Sequence, residues 1–256
     1  MSERKVILAV QNITKSFGGR KVLDGISVEI YQGEIFVIMG GSGCGKSTLL
    51  RHMIGSIKPD SGRVLFDGKD LSKLSEAEEE KMKRRFGMSF QSSALLDYMN
   101  VEENVSLPLS EHTSLDPKVI SIIVKMKLGL VGLQGFDHLM PSMLSGGMRK
   151  RVGLARAIAM DPEVVFYDEP TAGLDPVVCA VVDKLIVDLS KKLLLTSVVV
   201  THNMESVFRI ADRVAMLHKG KVLEIGTPEQ IKNSKNPIVQ QFIKGEIEGP
   251  INVIEE

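Results

Sequence analysis

The chain lacks a net charge, because its 256 residues carry 32 Lys and Arg against 32 Asp and Glu. A protein that binds nucleic acid without sequence preference usually carries excess cations to neutralise phosphates. The zero sum gives no such signal, although it is compatible with a local basic patch. Charged residues make up 25% and hydrophobic residues 43% of the chain, as in soluble globular proteins and unlike disordered ones.

Cysteines and long apolar runs are also scarce. Cys44 and Cys179 are the two cysteines, too few for a disulfide framework and without metal-binding spacing. The apolar run at 6–10 is short and no small-residue cleavage site follows it, unlike a secretory signal. No uncharged apolar run approaches the roughly 20 residues that span a bilayer. We therefore expect a cytosolic protein in a reducing compartment, or one held at a membrane through a partner.

Short β-type runs alternate with helical patterns, which predicts an α/β fold with a mainly parallel sheet. The predicted strands cover residues 34–39, 63–66, 164–167, 197–200, 214–217 and 222–225. Helices are predicted at 46–54, after the capping boxes Ser75–Glu78 and Thr227–Gln230, and from Asp116-Pro117 onward, where Val119, Ile122, Ile123 and Met126 share one face. Residues 82–160 contain eight of the 13 methionines and indicate a helical insertion between two halves of an α/β core.

A glycine-rich loop follows the predicted strand at 34–39. It matches G-x-x-x-x-G-K-[ST] and comprises Gly40, Gly41, Ser42, Gly43, Cys44, Gly45, Lys46 and Ser47. Glycines let consecutive N–H groups point at phosphate oxygens, and the following helix adds its positive dipole end. Lys46 can reach the β- and γ-phosphates, and the Ser47 hydroxyl can ligate magnesium. The alternative, a flexible glycine turn, does not account for the strand and helix on either side.

Two carboxylates, Asp168 and Glu169, end the apolar strand at 164–167. Ligands bind at the carboxyl ends of strands in such sheets. Asp168 would hold the magnesium shell, and Glu169 would orient and deprotonate an attacking water. Taken alone, the pair is also compatible with a strand that ends in solvated acids.

His202 follows another buried strand, at a place where a histidine can sense a γ-phosphate by hydrogen bonding. A structural role for a lone histidine remains the alternative.

The segment Ser145-Gly146-Gly147 opens a predicted helix with a hydroxyl and unobstructed backbone N–H groups. It is a second anion-binding element about 100 residues after the phosphate loop. One nucleotide held between two chains explains both elements, whereas a turn with a helix cap explains this segment alone. Arg149, Lys150, Arg151 and Arg156 follow closely, near the expected triphosphate of a partner chain.

Nearly the whole chain resembles the ATP-binding cassette (ABC) ATPases. The motifs occur in the family's order: phosphate loop at 40–47, Gln91, the signature Leu144-Ser145-Gly146-Gly147, the Walker B strand at 164–169, the aspartate loop Ala172-Gly173-Leu174-Asp175, and His202. The resemblance implies a P-loop NTPase (RecA-like) core with an antiparallel β subdomain and an inserted α-helical subdomain. The implied boundaries are 1–91 and 158–226 for the core with its N-terminal β subdomain, 92–157 for the helical subdomain, and 227–256 for a C-terminal helix and tail.

The resemblance also implies roles for individual residues. ATP would be bound by the phosphate loop together with Thr48, and Phe17 would stack on adenine, although Phe17 could equally be a core residue of the first strands. Ser47, Gln91 and Asp168 would hold Mg²⁺, and Glu169, Lys46 and His202 would be catalytic. In a head-to-tail dimer, Ser145, Gly146 and Gly147 would contact the γ-phosphate bound by the sister chain, and Asp175 would serve communication between the chains.

A narrower resemblance, to the ATPases of MCE/Mla-type lipid transporters, comes from three regions. The first region comprises residues 90–96 and 101–113. The second is the end of the signature and the residues after it, Gly147-Met148-Arg149-Lys150-Arg151. The third comprises residues 236–242 and 249–251. This resemblance implies ATP hydrolysis coupled to phospholipid transport between membranes. It also implies membrane permease subunits, an MCE-domain protein, a small accessory subunit, and a peripheral location on the cytoplasmic face of a bacterial inner membrane.

A permease helix would then dock in a groove beside Gln91. The candidates to line this groove are Ala94, Leu95, Leu96 and Tyr98. The acidic tail, with Glu246, Glu248, Glu255 and Glu256, has three alternatives: docking on the sister chain, docking on an accessory subunit, or fraying.

Other classes of function remain as alternatives. An ABC importer or exporter for another solute would carry the same motifs, because partner subunits choose the cargo. An ABC ATPase acting on DNA or ribosomes commonly has a second cassette, a coiled-coil insertion or basic extensions, and the sequence contains none of these. A small-molecule P-loop kinase leaves Ser145-Gly146-Gly147 unexplained. We expect no nucleic-acid partner.

Overall fold

The computed structural model describes residues 4–251. Its elements in chain order are β1 (Val6–Phe17), β2 (Arg20–Tyr31), β3 (Ile35–Met39), α1 (Lys46–Met53), β4 (Ser61–Phe66), β5 (Lys69–Asp70), α2 (Glu76–Lys83), β6 (Phe86–Ser89), α3 (Val101–His112), α4 (Pro117–Leu130), α5 (Gly146–Ala157), β7 (Val164–Asp168), α6 (Pro176–Leu193), β8 (Thr196–Thr201), α7 (Met204–Ile210), β9 (Arg213–His218), β10 (Lys221–Gly226), α8 (Pro228–Lys232) and α9 (Pro237–Lys244). Short 3₁₀ turns occupy Leu71–Lys73 and Pro141–Met143.

The described chain forms two compact units, and the first comprises residues 4–74 and 200–251. An antiparallel sheet in this unit has the strand order β2-β1-β4-β5. A second group of strands has the order β10-β9-β3, in which β3 runs parallel to β9 and β9 antiparallel to β10. All five residues of β3 are buried, so this strand is part of the core, as its uninterrupted apolar sequence predicts.

The second unit comprises residues 75–199 and contains β6, β7, most of β8 and helices α2 to α6. Strands β6 and β7 are parallel, and Phe86 meets Phe166 edge-to-face, with ring centroids 5.2 Å apart. The Ser75–Glu78 capping box opens α2 as predicted, and Asp116 caps α4 with Pro117 at its first position. The predicted boundaries at 91/92 and 157/158 stay predictions, because the units divide the chain elsewhere.

The C-terminal segment folds back onto α9 through one buried amide. Gln241 Nε2 donates to the carbonyls of Glu246 (3.2 Å) and Ile251 (3.0 Å), and Gln241 Oε1 accepts from the Ile251 amide (2.6 Å). Part of the predicted acidic tail is thereby ordered, while Glu255 and Glu256 lie outside the described residues. Within residues 4–251, no helix has the length and apolarity needed to span a bilayer.

Candidate functional site

The phosphate loop connects the buried strand β3 to α1, and two of its glycines, Gly40 and Gly45, are sterically required. A Cβ on Gly40 would lie 2.2 Å from the Leu217 carbonyl oxygen, and one on Gly45 would lie 2.7 Å from the Leu23 side chain. Gly43 and Gly45 have φ of 71° and 107°, in the region that glycine adopts without cost. The loop therefore presents backbone rather than side chains, which is the surface that phosphate oxygens bind.

Lys46, the first residue of α1, turns its side chain back into the loop. Its Nζ donates to the carbonyls of Gly40 and Gly41, both at 2.8 Å, and the residue is buried. The ammonium is therefore held beside the loop amides, close to where phosphate charge would lie. Cys44 is buried, Ser42 and Ser47 are exposed, and Thr48 is half-buried.

Phe17 and His202 also belong to the first unit. Phe17 ends β1 with 51% of its surface exposed, so it is not the core residue that one alternative predicted. The Lys15 ammonium lies over the ring, 5.5 Å from its centre. Because half of the Phe17 surface is exposed, aromatic surface is also available for stacking. His202 directly follows β8 and is exposed.

In the second unit, the end of β7 and the segment after β6 line one open cavity of about 510 Å³. Its walls contain Phe90, Gln91, Ser92, Asp168, Ala172 and Gly173. The structure thus brings together Gln91 and Asp168, two of the three predicted metal ligands. Glu169, one residue beyond Asp168, is only 8% exposed and has a left-handed backbone with φ 46°. Such a conformation is strained for a non-glycine residue and typical of functional sites.

The oxygen donors near Asp168 suit a magnesium ion that is bound together with phosphates and waters better than they suit a metal that is held by protein ligands alone. Mg²⁺ prefers hard oxygen ligands and usually takes one or two from the protein, with phosphates and waters completing its shell. Among the described residues, no group of three or more His, Cys, Asp or Glu is arranged to hold a metal. The carboxylate of Asp168 and the amide oxygen of Gln91 supply the kind of partial shell that a metal–nucleotide complex needs.

Ser145 caps α5, since its Oγ accepts from the Met148 amide at 3.3 Å. The serine is exposed, and Gly146 and Gly147 are half-buried. A Cβ on Gly147 would lie 2.6 Å from Val178 Cγ1 of α6, whereas one on Gly146 would lie 3.4 Å from Leu174. The cap and the glycines leave the start of α5 open, as a second anion-binding element requires.

Asp175, predicted to serve communication between chains, caps α6 in the structure. Its Oδ1 accepts from the amides of Val177 (3.0 Å) and Val178 (3.1 Å). The carboxylate therefore fixes the start of α6 beside Gly147, and a contact with another chain stays a prediction.

The four cations after the signature donate to carbonyls of their own chain, and their proximity to a partner's triphosphate stays a prediction. Arg149 bonds the Leu144 carbonyl, and Arg151 bonds those of Val131 and Gly132. Arg156 bonds the carbonyls of Ser93 and Ala94.

Lys150, which the sequence places with three other cations near a partner's triphosphate, has contacts within its own chain that were not predicted. It is 7% exposed, and its Nζ donates to the carbonyls of Gln91 (2.5 Å) and Glu169 (3.4 Å). Burial lowers the pKa of this ammonium below its ordinary value, and the charge of Glu169 works in the opposite direction. Its position five residues after Ser145 does not indicate that this lysine is buried, because exposed lysines are common on helices.

A second, mainly apolar cavity of about 440 Å³ lies beside the Gln91 segment. Its lining includes Phe90, Ala94, Leu96, Leu107, Pro108 and Met160, with Glu111, His112 and Arg156 among the polar residues. Ala94 and Leu96 were predicted to line a groove here, while Leu95 and Tyr98 are not among its lining residues.

Comparisons with known proteins agree with this arrangement. The family model described as "ABC transporter" matches residues 23–172. The chain is 44% identical to the intermembrane phospholipid transport system ATP-binding protein MlaF of Haemophilus influenzae, over 96% of this chain and 93% of that protein. It is 40% identical to the probable ribonucleotide transport ATP-binding protein mkl of Mycobacterium leprae, over 98% of this chain and 72% of that protein. The chain belongs to the ABC transporter family.

Solved structures give the same fold. A dimeric ATP-binding cassette in a post-hydrolysis state, bound to ADP and Pi, matches with a TM-score of 0.79 and 30% identity, over 87% of this chain and 99% of that one. The cbiO1 protein of Clostridium perfringens, part of the ABC transporter complex cbiONQ, matches with a TM-score of 0.82 and 33% identity, over 90% of this chain and 92% of that one. The predicted fold class, a P-loop NTPase cassette with an antiparallel sheet and added helices, is confirmed.

Proposed function

We propose that this chain is the ATP-hydrolysing subunit of a membrane ABC transporter that moves phospholipid between membranes, in an MCE/Mla-type system. The observation that carries the proposal is the 44% identity, over almost the full length of both chains, to a protein named for intermembrane phospholipid transport. The Escherichia coli protein of the same name is 42% identical over 96% of this chain.

Transport of another solute is the second candidate. The mycobacterial relative that is 40% identical is named for probable ribonucleotide transport. Both names describe ATP-driven transport and differ in the cargo, which partner subunits would select. The cargo therefore needs an experiment of its own.

The proposed reaction is in-line attack of water on the γ-phosphate of ATP, which breaks the bond from the γ-phosphorus to the bridging oxygen and releases ADP and phosphate. The loop amides from Gly40 to Gly45 and the Lys46 ammonium offset charge that develops on the phosphate oxygens. Glu169 positions the water and accepts its proton, for which its burial beside an open cavity is suited. His202 contacts the γ-phosphate, and Thr48 and Phe17 complete the binding of the nucleotide, with Phe17 stacked on adenine.

Ser47, Gln91 and Asp168 are the residues that would hold Mg²⁺. Magnesium held there would neutralise part of the negative charge of the phosphates. The protein's own contribution is to aim two oxygen donors, from Gln91 and Asp168, into one cavity.

We further propose that two copies act as a head-to-tail dimer. Ser145, Gly146 and Gly147 of one copy would contact the nucleotide held by the phosphate loop of the other, and Asp175 would lie near the contact. The exposed hydroxyl and the open start of α5 support this role. So does the likeness to a cassette that is dimeric with ADP and Pi bound.

The membrane partners of the proposal are permease subunits, an MCE-domain protein and a small accessory subunit. The apolar cavity walled by Phe90, Ala94 and Leu96 is where a short permease helix would dock, because an amphipathic helix buries its apolar face in such a groove. The chain would then be a peripheral protein on the cytoplasmic face of a bacterial inner membrane, held there by these partners.

The test is to purify the full chain from membranes with its partners and identify the bound lipids. We expect integral membrane subunits to co-purify, phospholipid to be bound to the complex, and ATP hydrolysis to drive phospholipid transfer between labelled vesicles. A complex that hydrolyses ATP but transfers ribonucleotides and no lipid would support the second candidate instead. If the purified chain does not hydrolyse ATP, the proposed ATPase activity is refuted.

A further inference from the structure

Helix α5 places three residues at helical spacing along the segment that follows Gln91. Lys150, Gly153 and Arg156 occur at intervals of three and therefore lie on one side of the helix. A Cβ on Gly153 would lie 3.4 Å from Ser93 Cβ, so the two backbones approach closely at this point. The two cations stand on either side of that close approach.

The segment that they hold has an unfavourable backbone. Ser93 and Ala94 have φ of 63° and 45°, in the left-handed region that residues with a Cβ rarely adopt. Such conformations persist only where neighbouring groups hold them. Arg156 supplies that restraint, because its Nη1 donates to the Ala94 carbonyl (2.7 Å) and its Nη2 to the Ser93 carbonyl (2.6 Å).

Lys150 reaches further toward the site. Its ammonium donates to the carbonyl of Gln91 and makes a longer contact, 3.4 Å, with the carbonyl of Glu169. Glu169 is itself in the left-handed region. One buried cation thus joins the backbones of two residues with proposed roles in the reaction, although they are 78 positions apart in the sequence.

We propose that Lys150 is a positioning residue, which fixes the Gln91 backbone relative to the Glu169 backbone while Arg156 holds the strained turn at 93–94. This inference rests on the proposed ATPase function. Burying an ammonium is costly unless its hydrogen bonds repay the cost, and here the bonds go to the two site backbones. Without Lys150, the Gln91 loop has more freedom, and the site spends less time in the productive arrangement.

The central variant is Lys150→Met, which keeps the length and apolar stem of the side chain and removes its N–H donors. Lys150→Arg restores a cation, and Lys184→Met is the matched control, because Lys184 is an exposed lysine of α6 in the same unit. We expect Lys150→Met to lower kcat about tenfold, the scale set by losing a charged hydrogen bond, with little change in KM for ATP. Lys150→Arg should recover part of that loss, and Lys184→Met should match the wild type.

Hydrogen exchange of nucleotide-free protein gives a second readout that does not depend on activity. We expect amides at 91–96 to exchange about tenfold faster in Lys150→Met, because local opening is no longer opposed by the ammonium. Wild-type kcat and wild-type exchange in this variant would overturn the inference. So would a fall in activity that only follows the loss of folded protein, with unchanged exchange at 91–96. Wild-type protein that does not hydrolyse ATP would instead refute the proposed function, and the exchange comparison would still test the restraint.

Discussion

At the residue scale, Gly146 and Gly147 are neighbours in different surroundings. A Cβ at Gly147 would approach Val178 Cγ1 to 2.6 Å, while one at Gly146 has ordinary contact at 3.4 Å. Val178 is β-branched and lies in a helix, so its side chain has little freedom to rotate away. We expect Gly147→Ala to lower the free energy of unfolding by about 1–3 kcal/mol, the cost of overpacking. Gly146→Ala should leave it nearly unchanged, and urea unfolding measures both.

The matched control for this pair is the double variant Gly147→Ala, Val178→Ala. Removing the Val178 methyls opens space for the new Cβ, so the two changes should be strongly non-additive in a double-mutant cycle. Additive effects, or equal stabilities for the two single glycine variants, would contradict a steric role for Gly147.

Interactions between residues that are close in the sequence were predictable, and interactions between residues that are distant in the sequence were not. The capping boxes at Ser75–Glu78 and Thr227–Gln230 are confirmed, because both partners lie within four residues. The contacts of Lys150 could not be predicted, because its partners Gln91 and Glu169 are 59 and 19 residues away. A lysine on a helix has the same local pattern whether it is solvated or buried.

At the element scale, the periodicity of apolar residues predicts the presence of a helix more reliably than it predicts which face of that helix is buried. The predicted face of α4 contains Val119, Ile122, Ile123 and Met126. Ile123 is half-buried and the other three are exposed, whereas Val124 and Leu128 are buried. Both faces of α4 are apolar, so the pattern alone does not distinguish the side that packs on α3 and α5. The long-range packing of the unit decides it.

The cavity beside the Gln91 segment supports a prediction about the permease. Leu96→Asp places a carboxylate in a mainly apolar wall, and burying that charge against an apolar partner helix is unfavourable. We expect this variant to lose co-purification with permease subunits from membranes while the isolated chain keeps its ATP hydrolysis. Pull-down from membranes and ATPase assays of the isolated chain measure the two properties.

Leu194→Asp is the control for Leu96→Asp. Leu194 is 81% exposed at the end of α6 and does not line the cavity, so the same change should leave permease binding intact. Circular dichroism would verify that both variants are folded. Unchanged co-purification of a folded Leu96→Asp variant would exclude the cavity as the docking site.

At the scale of the whole molecule, the proposed nucleotide site draws on residues far apart in sequence. The phosphate loop lies at 40–47, Gln91 follows β6, and Asp168 and Glu169 lie at the end of β7 and directly after it. Local patterns predicted each piece, and the resemblance to a family supplied the reason to assign them to one reaction. The zero net charge is the sum of 32 basic and 32 acidic residues. Two of the bases, Lys150 and Arg156, donate to carbonyls of their own chain.

The proposed dimer gives a prediction for the whole molecule. Glu169→Gln keeps the size of the side chain and removes the base, so ATP should bind with wild-type affinity while turnover falls about 100- to 10,000-fold. The unhydrolysed nucleotide then stays in place, and sedimentation with Mg·ATP should show a species of twice the 28.1 kDa chain mass. Adding Ser145→Arg, which places a bulky side chain at the exposed start of α5, should return Glu169→Gln protein to the monomer without abolishing ATP binding. If Glu169→Gln hydrolyses ATP at the wild-type rate, Glu169 is not the base. If this variant binds ATP without turnover and still sediments as a monomer, the head-to-tail arrangement is wrong, while the role of Glu169 stands.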